Sequence, residues 1–314
     1  DQIERLPEYI SRAFHVACSG RPGPVILALP EDMLSSHADV ADLPAPAPRP
    51  AAVSTAQVEA ITAALQTAKR PLVIAGGPGW TQAASDALAQ FAENWNLPVA
   101  VTFRRQDRLN NDHPLYVGDL GVGMNPKLGQ RLAQADTLLV LGARLGDIAT
   151  DGYAILDPTR PGPRILHIYP DPDELGRVFH PALGIAAPTA DMVHALAETK
   201  GQGNWVDWTA QARNDYEAWQ KPAETPGAVK LEQVVAWLAA NLAHDSIITN
   251  GAGNYAAFLH RYYRFRQFGT QLAPTSGSMG YGFPASVAAS LQNPDKTVVC
   301  MAGDGCFQMT CNEM

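Results

Sequence analysis

The chain has 314 residues, of which 46% are hydrophobic and 17% charged, and its 31 acidic and 23 basic side chains give a formal net charge of −8. This length and composition predict a folded chain of two or three domains and exclude intrinsic disorder as the main state. No Lys/Arg-rich run and no apolar stretch of ~18 residues occurs, so we expect neither nucleic-acid binding, nor binding to an anionic membrane, nor a membrane-spanning helix.

The two ends of the sequence predict an interior piece of a longer protein. Residues 1–5 (Asp-Gln-Ile-Glu-Arg) resemble neither a signal peptide nor a start, and residues 312–314 stop shortly after a new helix begins. The four cysteines lack the CxxC spacing of a zinc site, which favours reduced thiols in a cytoplasmic protein over a disulfide framework. They are Cys18, Cys300, Cys306 and Cys311.

Two segments are predicted to be linkers. Residues 36–50 carry proline at nearly every second position from Pro44 onward, which excludes a helix or a central strand. The second linker, at 221–227, follows a connecting helix. These breaks divide the chain into residues 1–35, a domain at 51–200, a connection at 201–227 and a final piece at 228–314.

The first piece predicts a helix followed by a buried strand. Pro7 suits the first turn of a helix, and apolar residues follow it at helical spacing. The strand is predicted at 25–29, where Val-Ile-Leu-Ala-Leu is ended by Pro30.

The domain at 51–200 alternates helices with short apolar strands. Ser54 and Gln57 have the spacing of a helix capping box, and a second helix is predicted over 81–95. Apolar strands that alternate with helices indicate an α/β fold built on parallel sheets with helices on both faces. The strands are predicted at 71–75, 99–102, 137–141 and 164–169. An aromatic helix containing Trp205, Trp208, Tyr216 and Trp219 should leave this domain and pack against a neighbouring one.

The final piece repeats the same alternation. Helices are predicted at 231–242, from the glycine-rich turn 250–254 to about 264, and at 280–291. Strands are predicted at 246–249 and 297–302. The second strand leads into Gly303-Asp304-Gly305, which places a carboxylate at the end of a strand, where α/β sheets bind ligands.

The Gly-Asp-Gly turn suits a metal and a phosphate group. Asp304 offers oxygen ligands of the kind that Mg²⁺ prefers, and the backbone N–H groups of Gly305 and Cys306 can face phosphate oxygens. Taken alone, however, the motif is more often a plain turn.

Three other features have both an ordinary and a functional interpretation. Gly76-Gly77-Pro78-Gly79 follows a strand but is not a GxGxxG motif, and no partner acid stands at the expected distance. Arg104, Arg105 and Arg108 form either a solvated or interdomain salt-bridged loop, or a site for an anionic substrate. No two histidines have metal-ligand spacing, and His260 and Arg261 are expected at a surface or an interface.

Several motifs, taken in order, resemble the thiamine diphosphate (ThDP) enzymes, in the branch of acetolactate synthase, pyruvate oxidase and benzoylformate decarboxylase. Residues 251–255, 273–285 and 303–306 resemble the diphosphate-binding domain of that family. Residues 21–32 (Arg-Pro-Gly-Pro-Val followed by Leu-Pro-Glu-Asp) resemble the end of its pyrimidine-binding domain. Residues 51–200, which include Leu-Gly-Ala-Arg-Leu-Gly-Asp at 141–147, resemble its central Rossmann-like domain.

The resemblance implies a role for each matching residue. Asp304 would be the first metal ligand, and Gly303, Gly305 and Cys306 would lie against the diphosphate. Gly277 would accept the aminopyrimidine amine through its carbonyl beside Ser278, and Met279 would wedge under the cofactor and enforce its bent shape. A second diphosphate-contacting turn would comprise Gly253, Asn254 and Tyr255.

The resemblance also implies what this chain lacks. The family's activating glutamate would lie upstream, so no catalytic residue is assigned here, and a second metal ligand, an asparagine, would lie beyond Met314. The 314-residue chain alone is therefore expected to be inactive.

The implied activity is ThDP- and Mg²⁺-dependent decarboxylation or carboligation of a small-molecule 2-oxo acid, similar to that of acetolactate synthase, in a cytoplasmic homodimer or homotetramer. A decarboxylase or an oxidase of the same family is the alternative, and a non-catalytic nucleotide-binding or regulatory module is a hypothesis of another class. Some family members hold FAD in the central domain, which would make Arg144 and Asp147 FAD contacts.

Overall fold

A computed structural model describes residues 2–45 and 52–314. Its centre is a six-stranded sheet in which every strand pairs in parallel, in the order β3-β2-β1-β4-β5-β6. The strands are β1 (Pro71–Ala75), β2 (Val99–Thr102), β3 (Tyr116–Leu120), β4 (Thr137–Leu141), β5 (Arg164–Tyr169) and β6 (Leu183–Ala186). This is the strand order of doubly wound nucleotide-binding folds, in which the order reverses between β1 and β4.

The strands form because their side chains are buried on both faces. Successive side chains of a strand point to opposite faces, so Leu72 and Leu138 join one hydrophobic cluster while Val73 and Leu139 join the other. The helices that cover the two faces are α3 (Thr55–Gln66), α4 (Gln82–Trp95), α5 (Pro126–Gln134), α6 (Thr189–Ala197) and α7 (Val206–Trp219). The predicted fold class, an α/β chain with helices on both faces of a parallel sheet, is confirmed.

The helix ends follow local chemistry. At the start of α3 the Ser54 side chain accepts a hydrogen bond from the Gln57 backbone, and the Gln57 side chain accepts one from the Ser54 N–H, which is the predicted capping box. α4 begins at the Thr81 cap and ends at Asn96, whose φ of 52° is left-handed. Asparagine tolerates this conformation better than most residues.

A smaller sheet lies in the C-terminal part of the chain. Its three strands also pair in parallel, in the order β8-β7-β9. They are β7 (Ile247–Asn250), β8 (Gln271–Leu272) and β9 (Val298–Met301), and the helices are α8 (Leu231–Asn241), α9 (Ala256–Tyr262), α10 (Gly282–Gln292) and α11 (Asp304–Gln308).

The N-terminal segment differs from the prediction. Helices α1 (Leu6–Cys18) and α2 (Glu31–Ser35) form, but the predicted buried strand at 25–29 is wrong, since these residues have no regular structure and Ile26 is 92% exposed. A strand needs a neighbour to accept its backbone hydrogen bonds, and no strand in the described ranges pairs with this segment. In the predicted linker, residues 36–45 form neither helix nor strand, and Pro46, Pro48 and Pro50 lie outside the described residues.

α7 does not leave the central domain as predicted but packs along it. The indole N–H of Trp208 donates to the Pro71 carbonyl (2.8 Å), and that of Trp205 donates to the Asn96 carbonyl (2.8 Å). Only the far end of α7 reaches the C-terminal part, where the guanidinium of Arg261 lies 3.6 Å from the centre of the Trp219 ring system. Buried indole groups need a hydrogen-bond acceptor, and free carbonyls beside the sheet provide it.

The segment 103–112, which follows β2, connects the two sheets. The Gln106 N–H donates to the Gln271 side chain (2.7 Å), and Asn111 and Phe265 exchange two hydrogen bonds of 2.8 and 2.9 Å. The central domain and the C-terminal sheet are therefore joined by buried hydrogen bonds as well as by packing.

Candidate functional site

The three predicted cofactor motifs lie at one edge of the small sheet. Residues 251–255 follow β7, residues 273–281 follow β8, and residues 303–306 follow β9. Because the strands are parallel, their carboxyl ends share an edge, and Asn250 pairs with Met301 immediately before two of these turns. The sheet thus brings together segments separated by 17 and 21 residues of chain, at the edge where α/β proteins bind ligands.

Side chains interlock the turns after β7 and β9. The Cys306 thiol donates to the Ala252 carbonyl (3.3 Å). A Cβ atom on Gly251 would come within 2.9 Å of the Cys306 sulfur and 2.8 Å of the Tyr255 hydroxyl, and one on Gly303 would come within 3.1 Å of the Tyr255 ring. Glycine is therefore required at Gly251 by the packing of Tyr255 and Cys306.

This packing shifts the acidity of both side chains. Burial raises the pKa of Tyr255. Burial also acts to raise the pKa of Cys306, but interactions with the Gly280 backbone and the Tyr255 hydroxyl outweigh it, so the pKa of the thiol lies below its ordinary value. The residues described include four free cysteines and no disulfide.

Asp304 is exposed in the first turn of α11 and forms no ion pair within the described residues. Its carboxylate is thus free to receive a cation. Within residues 2–45 and 52–314 no three His, Cys, Asp or Glu side chains gather as a protein-only metal site would require. Asp304 therefore fits a metal that takes its other ligands from a bound diphosphate, water or residues outside the chain.

The turn after β8 leaves space for a ligand. Gly277 has a left-handed φ of 75°, and a Cβ built on it would meet no atom within 4 Å. Residues 275–279 are all exposed, among them Ser278, and Met279 is 45% exposed with its methyl group 3.3 Å from the position of a Cβ on Gly305. Met279 is thus not a core methionine but lies over the start of α11.

The predicted arginine cluster is not solvated. Arg104 and Arg108 are buried, and Arg108 forms an ion pair with Asp107 (2.8 Å). Burial lowers the pKa of Arg108 to about 10 and raises that of Asp107, although the Gly269 N–H donates to this carboxylate (3.0 Å). The alternative of an interdomain loop is therefore the one that the structure supports for these two residues.

His260 lies at the interface between the two sheets. Its ring meets the edge of Phe103 at a centroid distance of 5.4 Å, and its Nε2 atom is buried with no hydrogen-bond partner in the described residues. Burial, with the nearby charge of Arg104, lowers the pKa of His260 to about 3. The imidazole is consequently neutral at physiological pH.

This histidine predicts a pH-dependent stability. An unfolded histidine binds a proton below about pH 6.5, whereas folded His260 does not until about pH 3. The unfolded state therefore binds more protons in this window, and folding free energy is lost as pH falls, by about 1 kcal/mol between pH 7 and pH 5.5. His260→Phe should flatten this dependence in urea denaturation, while His244→Phe, at an exposed position, should not. Equal slopes for wild type and His260→Phe would contradict the assignment.

A second cleft, of about 500 Å³, opens at the carboxyl ends of β1 and β4. The predicted residues Arg144 and Asp147 both line it, and Arg144 pairs with Glu174 (2.9 Å). The fold also brings Arg105 here, a member of the arginine cluster for which the sequence left an anionic-substrate site open. Sequence reasoning missed Arg21, Arg177 and Thr275, which come to the cleft from distant segments. The four arginines outnumber the two acids, so the cleft suits an anionic ligand.

The glycines after β1 have a structural role at this point. A Cβ on Gly77, whose φ is 70°, would overlap the carbonyl oxygen of Gly142 after β4. A left-handed glycine is thus required by the close approach of two backbones. The Gly76–Gly79 motif therefore needs no nucleotide to explain it.

Comparison with known proteins agrees with these two regions. The profile described as "Thiamine pyrophosphate enzyme, central domain" matches residues 58–196, and "Thiamine pyrophosphate enzyme, C-terminal TPP binding domain" matches residues 251–314. The second match begins at the turn after β7 and contains all three clustered motifs.

Among curated proteins the chain is similar to large subunits of acetolactate synthase. It is 32% identical to that of isozyme 1 of Escherichia coli K12, over 99% of this chain and 55% of the relative. It is 28% identical to isozyme 2 of the same organism (99% and 56%) and 29% identical to the large subunit of Corynebacterium glutamicum (98% and 51%). The chain spans about half the length of the curated relatives it matches.

No helix in the described parts of the chain combines the length and the apolar character needed to cross a bilayer. The matched profiles, the relatives and the parallel sheets that carry the three turns together establish that the chain belongs to the thiamine pyrophosphate enzyme family.

Proposed function

We propose that the protein containing this chain binds thiamine diphosphate with Mg²⁺ and decarboxylates a 2-oxo acid, joining the remaining fragment to an acceptor as acetolactate synthase does. The observation that carries the proposal is the convergence of three turns on one sheet edge, one of which carries Asp304, a carboxylate with no ion pair within the described residues. Similarity to acetolactate synthases over nearly the whole chain favours this reaction over that of a simple decarboxylase or an oxidase.

Each part of the cofactor has a matching group in the chain. The carboxylate of Asp304 would hold the metal, and the N–H groups of Gly305 and Cys306, at the start of α11, would receive diphosphate oxygens. Gly253, Asn254 and Tyr255 would approach the diphosphate from the turn after β7, and Gly303 permits this approach because Tyr255 packs against it.

The other end of the cofactor would lie along the turn after β8. The Gly277 carbonyl would orient the aminopyrimidine amine, and Met279 would keep it close to the reacting carbon. Bound thiamine diphosphate supplies a thiazolium carbon that adds to carbonyl groups after it loses its proton. The residues of this chain would hold and orient that group, and the activating glutamate that the resemblance implies would come from a segment upstream of this chain.

The arginine-lined cleft supports a second ligand. We propose that it takes a phosphate-bearing nucleotide, with FAD the first candidate, because it lies where the strand order reverses and holds four arginines against two acids. Arg144 and Arg177 are both paired with Glu174 (2.9 and 3.5 Å), so Arg21 and Arg105, which form no ion pair within the described residues, are the better candidates for phosphate contacts.

Calorimetry on the full-length protein tests the main proposal. We expect thiamine diphosphate to bind in the presence of Mg²⁺ and not in the presence of EDTA, because the diphosphate carries negative charges that a metal held by Asp304 would neutralise. Loaded protein should then release CO₂ from pyruvate or another 2-oxo acid. Absence of binding with Mg²⁺ would overturn the proposal.

A non-catalytic nucleotide-binding module is the alternative that the arginine-lined cleft favours. In that case FAD or another nucleotide would bind and thiamine diphosphate would not. The same titrations therefore separate the two functions. We also propose that the protein is a homodimer or homotetramer, which sedimentation measurements would test. The free cysteines are compatible with a cytoplasmic location.

A further inference from the structure

Arg104 lies in the central domain, but its side chain reaches the turn that carries Gly277. The Pro274 carbonyl oxygen accepts the Gly277 N–H (3.0 Å), which closes the turn 274–277. The same oxygen accepts a hydrogen bond from a terminal nitrogen of the Arg104 guanidinium. One carbonyl therefore holds the turn and anchors it to the other domain.

The backbone at Arg104 is held in an unfavourable conformation. The Arg105 N–H donates to the Thr102 carbonyl (3.0 Å), so Arg104 is the third residue of a β-turn, and its φ is 55°. Glycine or asparagine is favoured at that position, because a Cβ is strained in the left-handed region. A strained residue persists only where its surroundings stabilise it. For Arg104 those surroundings are the contacts of its side chain.

The Arg104 side chain is buried and has no counter-charge in the described residues. Arg104 is 4% exposed, its guanidinium lies 4.6 Å from the Phe103 ring centre, and no carboxylate pairs with it in the described residues. Its Nε atom has no hydrogen-bond partner in the same ranges. A buried cation without a counter-charge is costly. Arg104 nevertheless stays buried beside the turn 274–277, where its guanidinium donates to the carbonyl of the buried Pro274.

We propose that Arg104 is a positioning residue for the cofactor turn: through the Pro274 carbonyl it fixes the turn that presents Gly277 and, two residues on, Met279. Residues 275–279 are exposed, so this anchor supplies order that packing does not. The proposal rests on the proposed function, since it assigns to the ordered turn the task of binding thiamine diphosphate.

The test compares three variants of the full-length protein by hydrogen–deuterium exchange at Gly277 and by thiamine diphosphate titration with Mg²⁺. Arg104→Met keeps length and removes charge and donors. It should speed exchange at Gly277 about tenfold and weaken cofactor binding about tenfold. Arg104→Lys, which keeps a charged donor group, should restore part of the slow exchange at Gly277 and part of the cofactor affinity.

Arg264→Met is the matched control for a merely structural role. It removes interdomain ion pairs with Asp112 and Glu217 without touching the turn. It should leave Gly277 exchange unchanged even where it lowers the melting temperature. Equal acceleration in Arg264→Met, or wild-type exchange in a folded Arg104→Met, would overturn the proposal.

Two further outcomes are decisive. If Arg104→Met does not fold, Arg104→Lys decides alone: faster Gly277 exchange at wild-type melting temperature supports the anchor, and unchanged exchange overturns it. If wild-type protein binds no thiamine diphosphate while Gly277 exchange still responds to Arg104, the proposed function fails and the structural anchor stands.

Discussion

Asp304→Ala is expected to weaken binding of thiamine diphosphate to the full-length protein, in the presence of Mg²⁺, by about a thousandfold, or about 4 kcal/mol. The Asp304 carboxylate is exposed at the edge where three turns meet, and no cation within the described residues occupies it. Without it the metal loses its protein ligand in this chain, and the diphosphate charge faces backbone N–H groups alone. Calorimetry with and without Mg²⁺ measures the loss.

Asp295→Ala is the matched control. Asp295 is also exposed, but it precedes β9 and so lies at the opposite end of that strand from Asp304. Its removal changes the net charge equally and should leave cofactor affinity within about twofold, because charges that far apart are screened. If both variants bound equally well, Asp304 would not be the metal ligand and the Gly-Asp-Gly segment would be a plain turn.

The strands that the sequence predicted most accurately are those buried on both faces. β1, β2, β4 and β5 have the bounds that their largely apolar runs indicated, because a central parallel strand is covered on both faces and most of its side chains are apolar. The same logic failed at 25–29, where the apolar run is present but no neighbouring strand pairs with it. An apolar run shows only that a segment is able to form a buried strand. Whether it forms one depends on a pairing strand elsewhere in the chain.

Two strands of the six-stranded sheet were missed because they lack the apolar run that identified the others. β3 contains Gly118 and Asp119, and β6 is a four-residue strand at the edge of the sheet, so neither shows a continuous apolar run. Burial raises the pKa of Asp119 to about 7, with one amide contact from Gln106 (3.4 Å). A polar residue in a strand is accepted where the fold supplies a partner, which a local pattern cannot reveal.

Some features of the candidate site were also predictable from the sequence, and others were not. Glycine-rich turns after strands were visible in the sequence because the backbone needs glycine there, and the parallel sheet brings them to one edge. The interdomain contact of Arg104 was not visible in the sequence, because it joins residues 170 positions apart. The arginine-lined cleft was not visible as a whole either, because its residues come from several loops. Arg104 was seen only as part of a charged cluster, and its left-handed backbone has no signal in the sequence.

Met279→Ala is expected to slow proton loss from the thiazolium carbon of bound thiamine diphosphate by roughly a hundredfold while leaving most cofactor affinity in place. Met279 lies over Gly305, at the start of α11, and its side chain is 45% exposed in this chain. Truncation would leave the metal and diphosphate contacts intact, but the bent cofactor shape that brings the amine to the carbon would no longer be enforced. Exchange of that carbon's hydrogen for deuterium in the loaded full-length protein measures the rate.

The exposure of Met279 separates this effect from a loss of stability. A core methionine would cost about 2–5 kcal/mol on truncation, whereas a side chain this exposed should change stability by about 0.5 kcal/mol or less. Leu291→Ala provides the comparison, since Leu291 is 77% exposed at the end of α10 far from the turns. Both variants should melt near the wild-type temperature, and only Met279→Ala should slow deuterium exchange. A lowered melting temperature with normal exchange would assign Met279 to packing within the assembled protein and leave the bent shape to be enforced by another residue.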